Sequence, residues 1–262
     1  MLAGERQARI LDEIRRRGSV RVGELSEQFG VSDMTIRRDL DILSNQGLVD
    51  KVHGGATAHI ALSTDEPGFE AKWLQQQAEK DAIARAAAQL VRPGMAIGLS
   101  AGTTTWALAQ RVADVGDLTV VTNSMQVAQA LQRPPADGRT VILTGGVRTP
   151  SDALVGPVAV AALRQLHLDI LFLGVHGMSL RAGYSTPNLL EADVNRAFLE
   201  AAHRLVVIAD HTKWGEVGLS SVAPLEAADV VVTDSGLSPE ARGHLIDLVD
   251  DVIVTQPIGV EP

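Results

Sequence analysis

The chain has 262 residues, with 23 Lys+Arg against 32 Asp+Glu and a formal net charge of −9. It contains no cysteine, which excludes disulfides, thiol nucleophiles and cysteine-based zinc or iron–sulfur sites. At 3% aromatic residues it lacks the material for single-strand stacking platforms. Met1–Arg17 is charged and has no apolar centre, so it does not read as a signal peptide. No apolar run approaches the roughly 18 residues of a bilayer span. A cytoplasmic protein without membrane contact is expected.

The acidity is unevenly spread. Residues 1–60 hold nine basic and nine acidic side chains, so the whole excess lies in residues 61–262. Residues 6–16 place Ile10, Leu11 and Ile14 on one helical stripe that ends in Arg15, Arg16, Arg17 and Gly18. Residues 23–29 read as a second short helix, with Leu25 and Phe29 one turn apart. Gly30 then supplies a turn, and Ser32 is a good N-cap for a third helix through Asn45. On that helix Ile36, Leu40 and Leu43 face inward. Met34, Arg37, Arg38, Asp41 and Asn45 share the opposite face, with Thr35 at its flank. Residues 48–55 alternate and turn on Gly54-Gly55, which reads as a wing from which Lys51 and His53 reach phosphates. The order is that of a helix-turn-helix with a recognition helix for the major groove. A plain three-helix bundle with a solvated basic face fits the spacing too, whereas the Arg37-Arg38 face disfavours an adaptor for protein contacts.

A polar stretch from Thr57 to Gly68 separates this part from the rest. Residues 69–91 meet no breaker before Pro93-Gly94 and predict one long connecting helix. The expected division is 1–57 for the helical domain, 58–91 for linker and helix, and 92–262 for an α/β domain. There the runs 96–99, 118–122, 140–144, 170–175, 205–209, 230–233 and 252–254 are apolar on both faces. Ala- and Leu-rich segments of helical spacing (104–112, 124–131, 158–166 and 192–202) lie between them. Such alternation predicts a parallel sheet covered on both sides.

In this part the informative segments follow the strands. Ser100-Ala101-Gly102-Thr103-Thr104-Thr105 opens a helix whose N–H groups and hydroxyls suit an anion. Asn123-Ser124 and Gly145-Gly146 follow the next two strands, so three loops are expected to converge at the carboxyl edge. Each alone also reads as an ordinary cap or turn. No dinucleotide or Walker glycine pattern is present. The seven histidines include no i,i+4 ligand pair, and Ser100, Ser124 and Ser151 sit in no nucleophile elbow. Neither a metal nor a cofactor is expected.

The residues carry more than spacing. Val31-Ser32-Asp33-Met34-Thr35-Ile36-Arg37-Arg38-Asp39-Leu40, followed by Val52-His53-Gly54-Gly55-Ala56, closely resembles the N-terminal signature of DeoR-family bacterial transcription regulators. The resemblance continues through Gly102-Thr103-Thr104, Thr122-Asn123-Ser124, Thr144 to Arg148, Gly183 to Asn188, Glu191 and Ala209 to Gly215. It implies a winged helix-turn-helix joined to a domain similar in fold to ribose-5-phosphate isomerase that senses phosphorylated sugars. By that resemblance Ser32, Thr35, Arg37 and Arg38 contact DNA; Asp39 and Asp41 read as structural, pairing with nearby arginines and not facing DNA. Gly102, Thr103, Thr104, Asn123, Gly145, Gly146, Glu191 and Lys213 become the candidate effector ligands. The implied function is a repressor of a carbohydrate-metabolism operon, released from double-stranded operator DNA by its effector and working as a dimer or tetramer. The competing class is a sugar-phosphate isomerase-like enzyme with an appended helical domain. Three positions depart from the family pattern: Ser100 replaces an aspartate, His176 an acidic residue, and Asn195 a frequent lysine. Losing two carboxylates weakens the isomerase reading, with Glu191 left as the one base.

Overall fold

The computed structural model describes residues 3–45, 48–52, 54–58, 64, 66, 68–132 and 138–257. The chain forms two compact units, residues 1–62 and 63–262.

The first unit runs α1 (Ala3–Arg17), β1 (Ser19–Arg21), α2 (Val22–Phe29), α3 (Asp33–Asn45), β2 (Val49–Val52) and β3 (Gly55–Ala58). Its core joins Ile10 and Ile14 of α1, Leu25 of α2, and Ile36, Leu40 and Leu43 of α3 to Val20, Val22, Val49 and Ala56. The helical stripes expected from spacing are therefore the buried faces. Gly30 takes a left-handed φ of +65° and its N–H donates to Ser26 O, which ends α2 and turns the chain toward α3. Ser32 caps α3, its Oγ accepting from the Thr35 N–H at 3.3 Å. Asp39 is buried under α3, where Arg6 Nε donates to it at 2.6 Å and Gln7 Nε2 at 2.9 Å, so α1 and α3 are tied by charge. The pairing of Asp39 with an arginine is as expected.

The wing is a three-stranded antiparallel sheet in the order β1-β3-β2. Its two glycines do different things. Gly54 turns the chain at φ +79°. Gly55 lies so close to β1 that a Cβ there would stand 2.0 Å from the Val20 carbonyl oxygen. The strand β1 itself was not anticipated, because three residues are too few to show alternation.

The second unit begins with α4 (Phe69–Trp73) and α5 (Gln77–Ala88), then β4 (Ala96–Leu99), α6 (Thr103–Arg111), β5 (Thr119–Thr122), α7 (Met125–Ala130) and β6 (Thr140–Leu143). There follow β7 (Val147–Arg148), β8 (Leu154–Val155), α8 (Pro157–Leu163), β9 (Ile170–Leu173), β10 (Gly177–Ser179), β11 (Gly183–Thr186) and α9 (Leu189–Ala201). The chain continues through β12 (Leu205–Ile208), a short 3-10 turn (His211–Lys213), β13 (Ser220–Ala223) and a second such turn (Leu225–Ala227). It ends with β14 (Val230–Asp234), α10 (Pro239–Leu248) and β15 (Asp251–Thr255).

All seven apolar runs pair in one parallel sheet, ordered β15-β14-β12-β9-β4-β5-β6. Strand β9 explains why those runs are continuous. Ile170 and Phe172 enter one core cluster with α5, α6 and α7, while Leu171 and Leu173 enter the other with α8, α9 and α10. Each fully buried side chain of this size contributes about 1.5–3 kcal/mol. Small antiparallel sheets of β10-β11-β13 and β7-β8 flank the main one.

The expected long helix over 69–91 is corrected by two shorter helices, α4 and α5, broken at residues 74–76. At the break Gln76 is left-handed (φ +49°), and no glycine or proline marks it. Lys80 Nζ replaces the missing intrahelical partners by donating to the Lys72 and Gln75 carbonyls, the latter at 2.6 Å. Helix α5 is no connector either: Ile83, Ala84 and Ala87 are core residues of the larger unit. Its Ala-rich pattern reads equally as a buried face or as a bridging helix, and the packing decides.

Candidate functional site

On the first unit the exposed side of α3 presents Met34 (74% exposed), Arg37, Arg38 and Asp41. The Ser32 and Thr35 hydroxyls lie 3.0 Å apart at its start. Lys51 on β2 is in a salt bridge with Asp41. The expected arginine partner of Asp41 is thus corrected to a lysine, and Lys51 reaches a phosphate only by leaving that pair. His53 lies outside the described residues.

On the second unit a pocket opens at the carboxyl edge of the sheet. Three adjacent strands supply its floor: Gly102, Thr103 and Thr104 after β4, Gly174 to His176 after β9, and Asp210, Thr212 and Lys213 after β12. The break between α4 and α5 adds Lys72, Gln75, Gln76 and Lys80, and Thr186 and Glu191 complete the wall. The pocket straddles β4 and β9. From β4 the chain runs outward through β5 to β6, then returns across to β9. That reversal is the topological switch point where open α/β sheets leave a crevice.

Five of the eight expected effector ligands meet here: Gly102, Thr103, Thr104, Glu191 and Lys213. Asn123, Gly145 and Gly146 do not line this pocket, which corrects their expected place. Asn123 is buried, its Oδ1 accepting from the Ala101 N–H at 2.8 Å and its Nδ2 donating to Leu154 O at 3.2 Å. It shapes the loop after β4 from behind. Gly145 and Gly146 follow the edge strand β6, and Gly146 packs on the Val155 backbone, where a Cβ would stand 2.5 Å from its oxygen. The loop after β5 therefore meets the loop after β4 from behind, while the pocket opens on the other side of β4, toward β9.

Lysine charge dominates the pocket. Burial pushes Lys80, which is 4% exposed, down to about 8, with Asp210 opposing and Lys213 and Lys72 adding repulsion. Burial lowers Lys72 as well, against the pull of Glu191 and Glu66. Burial raises the Glu191 carboxyl above its usual range, with Lys72 and a hydrogen bond to Thr186 opposing. Beneath Lys213, Asp210 fixes the turn by accepting from the Thr212 N–H at 3.1 Å and from its hydroxyl. Next to it His211 Nδ1 lies 2.8 Å from buried Asp234. The charges at Lys72, Lys80 and Lys213 and the N-terminus of α6 together offer an anion both point charge and N–H donors.

Of the three departures, Ser100 is not on the pocket wall: its Oγ accepts from the Gly174 N–H at 3.0 Å and ties the end of β4 to β9. His176 is on the wall, and Asn195 is buried within α9. Lys72, Gln75, Gln76 and Lys80 were missed because their segment read as a connector. Thr186, Asp210 and Thr212 lie within the stretches that carry the family resemblance, which does not single them out. Among the described residues no group of three or more His, Asp or Glu side chains is placed to hold a metal ion.

A winged helix-turn-helix joined to an α/β unit with a cationic pocket defines a class: transcription regulators that carry a DNA reader and a sensor in one chain. Residues 6–60 match the family model for a DeoR-like helix-turn-helix domain, and residues 75–235 match that for a DeoR C terminal sensor domain. The chain belongs to the DeoR family. It is 36% identical to a putative aga operon transcriptional repressor of Escherichia coli O157:H7, over 90% of this chain and 88% of that one. It is 35% identical to the transcriptional repressor AccR of Agrobacterium fabrum, over 88% and 90% of the two chains. Among solved structures, a D-ribose-5-phosphate isomerase in complex with phospho-erythronic acid matches 52% of each chain at 15% identity and a TM-score of 0.38. No described helix is long and apolar enough to cross a membrane.

Proposed function

We propose that this chain is a repressor of a carbohydrate-metabolism operon and that a phosphorylated sugar in the pocket releases it from operator DNA. The observation that carries this reading is the gathering of Lys72, Lys80 and Lys213 around the N-terminus of α6, in the larger part of the chain, which holds the entire acidic excess. A dianionic phosphate neutralises that repulsion, while Glu191, Asp210 and Thr212 suit sugar hydroxyls. Ser32, Thr35, Arg37 and Arg38 make the base and phosphate contacts, and Lys51 joins them when DNA competes with Asp41. Paired first units, in a dimer or tetramer in the cytoplasm, read two half-sites, and effector binding favours a state that no longer matches them. The pocket senses and does not turn its ligand over.

A panel of phosphorylated pentoses and hexoses, screened for thermal stabilisation of the full chain, tests the reading. One member is expected to raise the melting temperature and to weaken binding to duplex from the protein's own upstream region. Lys213→Ala loses that response and keeps duplex binding; Arg38→Ala loses duplex binding and keeps the thermal response. Isomerisation of any panel member, or full release of the Lys213→Ala protein, overturns it.

A further inference from the structure

Glu66 is the fourth residue of the second unit, on the segment that leads out of the first. Its Oε1 accepts from Ser151 Oγ at 2.8 Å, and its Oε2 accepts from Asn188 Nδ2 at 2.8 Å. These donors lie 85 and 122 residues away in sequence. Burial works against the Glu66 charge, yet the bonds from Asn188, Ser151 and Thr149 together with the field of Lys72 outweigh it, so the carboxyl is held below its ordinary range.

Asn188 has a second task. It is the N-cap of α9, its Oδ1 accepting from the N–H groups of Leu190 at 3.0 Å and Glu191 at 3.2 Å. One amide therefore holds Glu66 with its nitrogen and the first turn of α9 with its oxygen. Glu191 in that turn is on the pocket wall, and so is Lys72, whose charge is balanced by both Glu191 and Glu66. The two carboxylates repel each other and share that one lysine. An anion in the pocket competes for Lys72, which leaves the repulsion between Glu191 and Glu66 less compensated. The structure thus links ligand charge to the carboxylate that Ser151 and Asn188 hold.

We propose that Glu66 is a positioning residue for the effector response: ligand at Lys72 and Glu191 loosens the Ser151–Glu66–Asn188 clamp and releases the backbone at Glu66. The proposal rests on the reading of the pocket as an anion sensor. If Glu66 were only a structural clamp, removing it would change stability and leave the ligand-dependent difference intact.

Hydrogen–deuterium exchange on the full-length chain, with and without millimolar inorganic phosphate, tests this. In the unaltered protein, phosphate slows exchange in peptides covering 100–106 and 209–214 and speeds it, at least twofold, in those covering 63–72. In Glu66→Gln, an acceptor oxygen becomes a donor facing Asn188 or Ser151. Exchange over 63–72 is then fast already, and its phosphate-dependent change is lost, while the pocket peptides keep their protection. Ser151→Ala removes one donor and leaves those of Asn188 and Thr149, so it reduces the change at 63–72 without abolishing it, which keeps the test open should Glu66→Gln not fold. A change at 63–72 in both variants as large as in the unaltered protein overturns the relay alone. Absence of phosphate protection at 100–106 in the unaltered protein overturns the pocket reading and the relay with it.

Discussion

Replacing Lys80 with methionine removes a buried ammonium and keeps the apolar stem. With a pKa of about 8 in the fold against 10.5 when unperturbed, the folded chain releases this proton at a pH where the unfolded chain still holds it. Stability rises with pH wherever the unfolded state binds more protons, so this lysine adds stability from pH 8 upward. Between pH 7 and pH 9.5 the gain is about 2 kcal/mol, with each tenfold change in proton affinity worth 1.36 kcal/mol. The assay is urea unfolding followed by tryptophan fluorescence. Trp73, Trp106 and Trp214 all belong to the second unit, so the signal reports that unit alone. His211, raised by its bond to Asp234, loses stabilisation as pH climbs above 6.5 and works the other way. The comparison of the two proteins therefore carries the result, not the raw slope. Lys80→Met is expected to lack about 2 kcal/mol of the pH-dependent gain. Coincident pH profiles would refute both the burial of the charge and its share in the pocket. An anion that fills the pocket also returns the proton to Lys80, so phosphate binding near pH 8.5 takes up protons from the buffer. Calorimetry in buffers of different ionisation enthalpy reads that uptake.

Gly55→Ala forces β1 off β3, because the obstacle is the Val20 backbone and not a movable side chain; a loss of about 3 kcal/mol in the first unit is expected. Gly54→Ala meets nothing within 4 Å and costs only the left-handed backbone, about 1–2 kcal/mol. Equal protease resistance of the first unit in the two variants would contradict that ranking. Asn123→Ala leaves the Ala101 N–H and the Leu154 carbonyl without their buried partner and is expected to cost about 2–4 kcal/mol in urea unfolding. A cost below 1 kcal/mol would remove Asn123 from the loop's support. Asp234→Asn probes the pair with His211. In the native protein the bond to Asp234 raises His211, giving stability complete below pH 6.5 and lost as pH rises through the higher folded value. Burial opposes the Asp234 charge, but bonds from His211 and Gly236 outweigh it, so its share is present above pH 3.8 and lost below the depressed value. The stability gap between native and variant is expected to be widest between those limits and to narrow by pH 9. A gap constant from pH 5 to 9 would show that the histidine's charge plays no part.

Both buried faces of strand and helix were legible because hydrophobic period is a local property. Ile10, Ile14, Ile36, Leu40 and Leu43 report the stripes of α1 and α3, and Ile170 to Leu173 report a strand covered twice. The glycines of the wing were legible as a turn, although only the three-stranded sheet shows that Gly55 is there for the approach of β1. Lys72 and Lys80 were not legible as pocket residues, since a lysine eight residues from another on an Ala-rich helix looks like a solvated face.

The local order of residues determined by itself that there are two units, one a winged helix-turn-helix without net charge and one an acidic α/β sheet. Strand order in that sheet was decided only by tertiary structure. A parallel strand joins either side of its predecessor with nearly the same local pattern, and the choice depends on which helices cover which face. That choice put β9 and then β12 on one side of β4, with β5 and β6 on the other, and the pocket opens on the β9 side. It moved the pocket away from Asn123, Gly145 and Gly146 and brought Lys72, Lys80 and Lys213 to face one another.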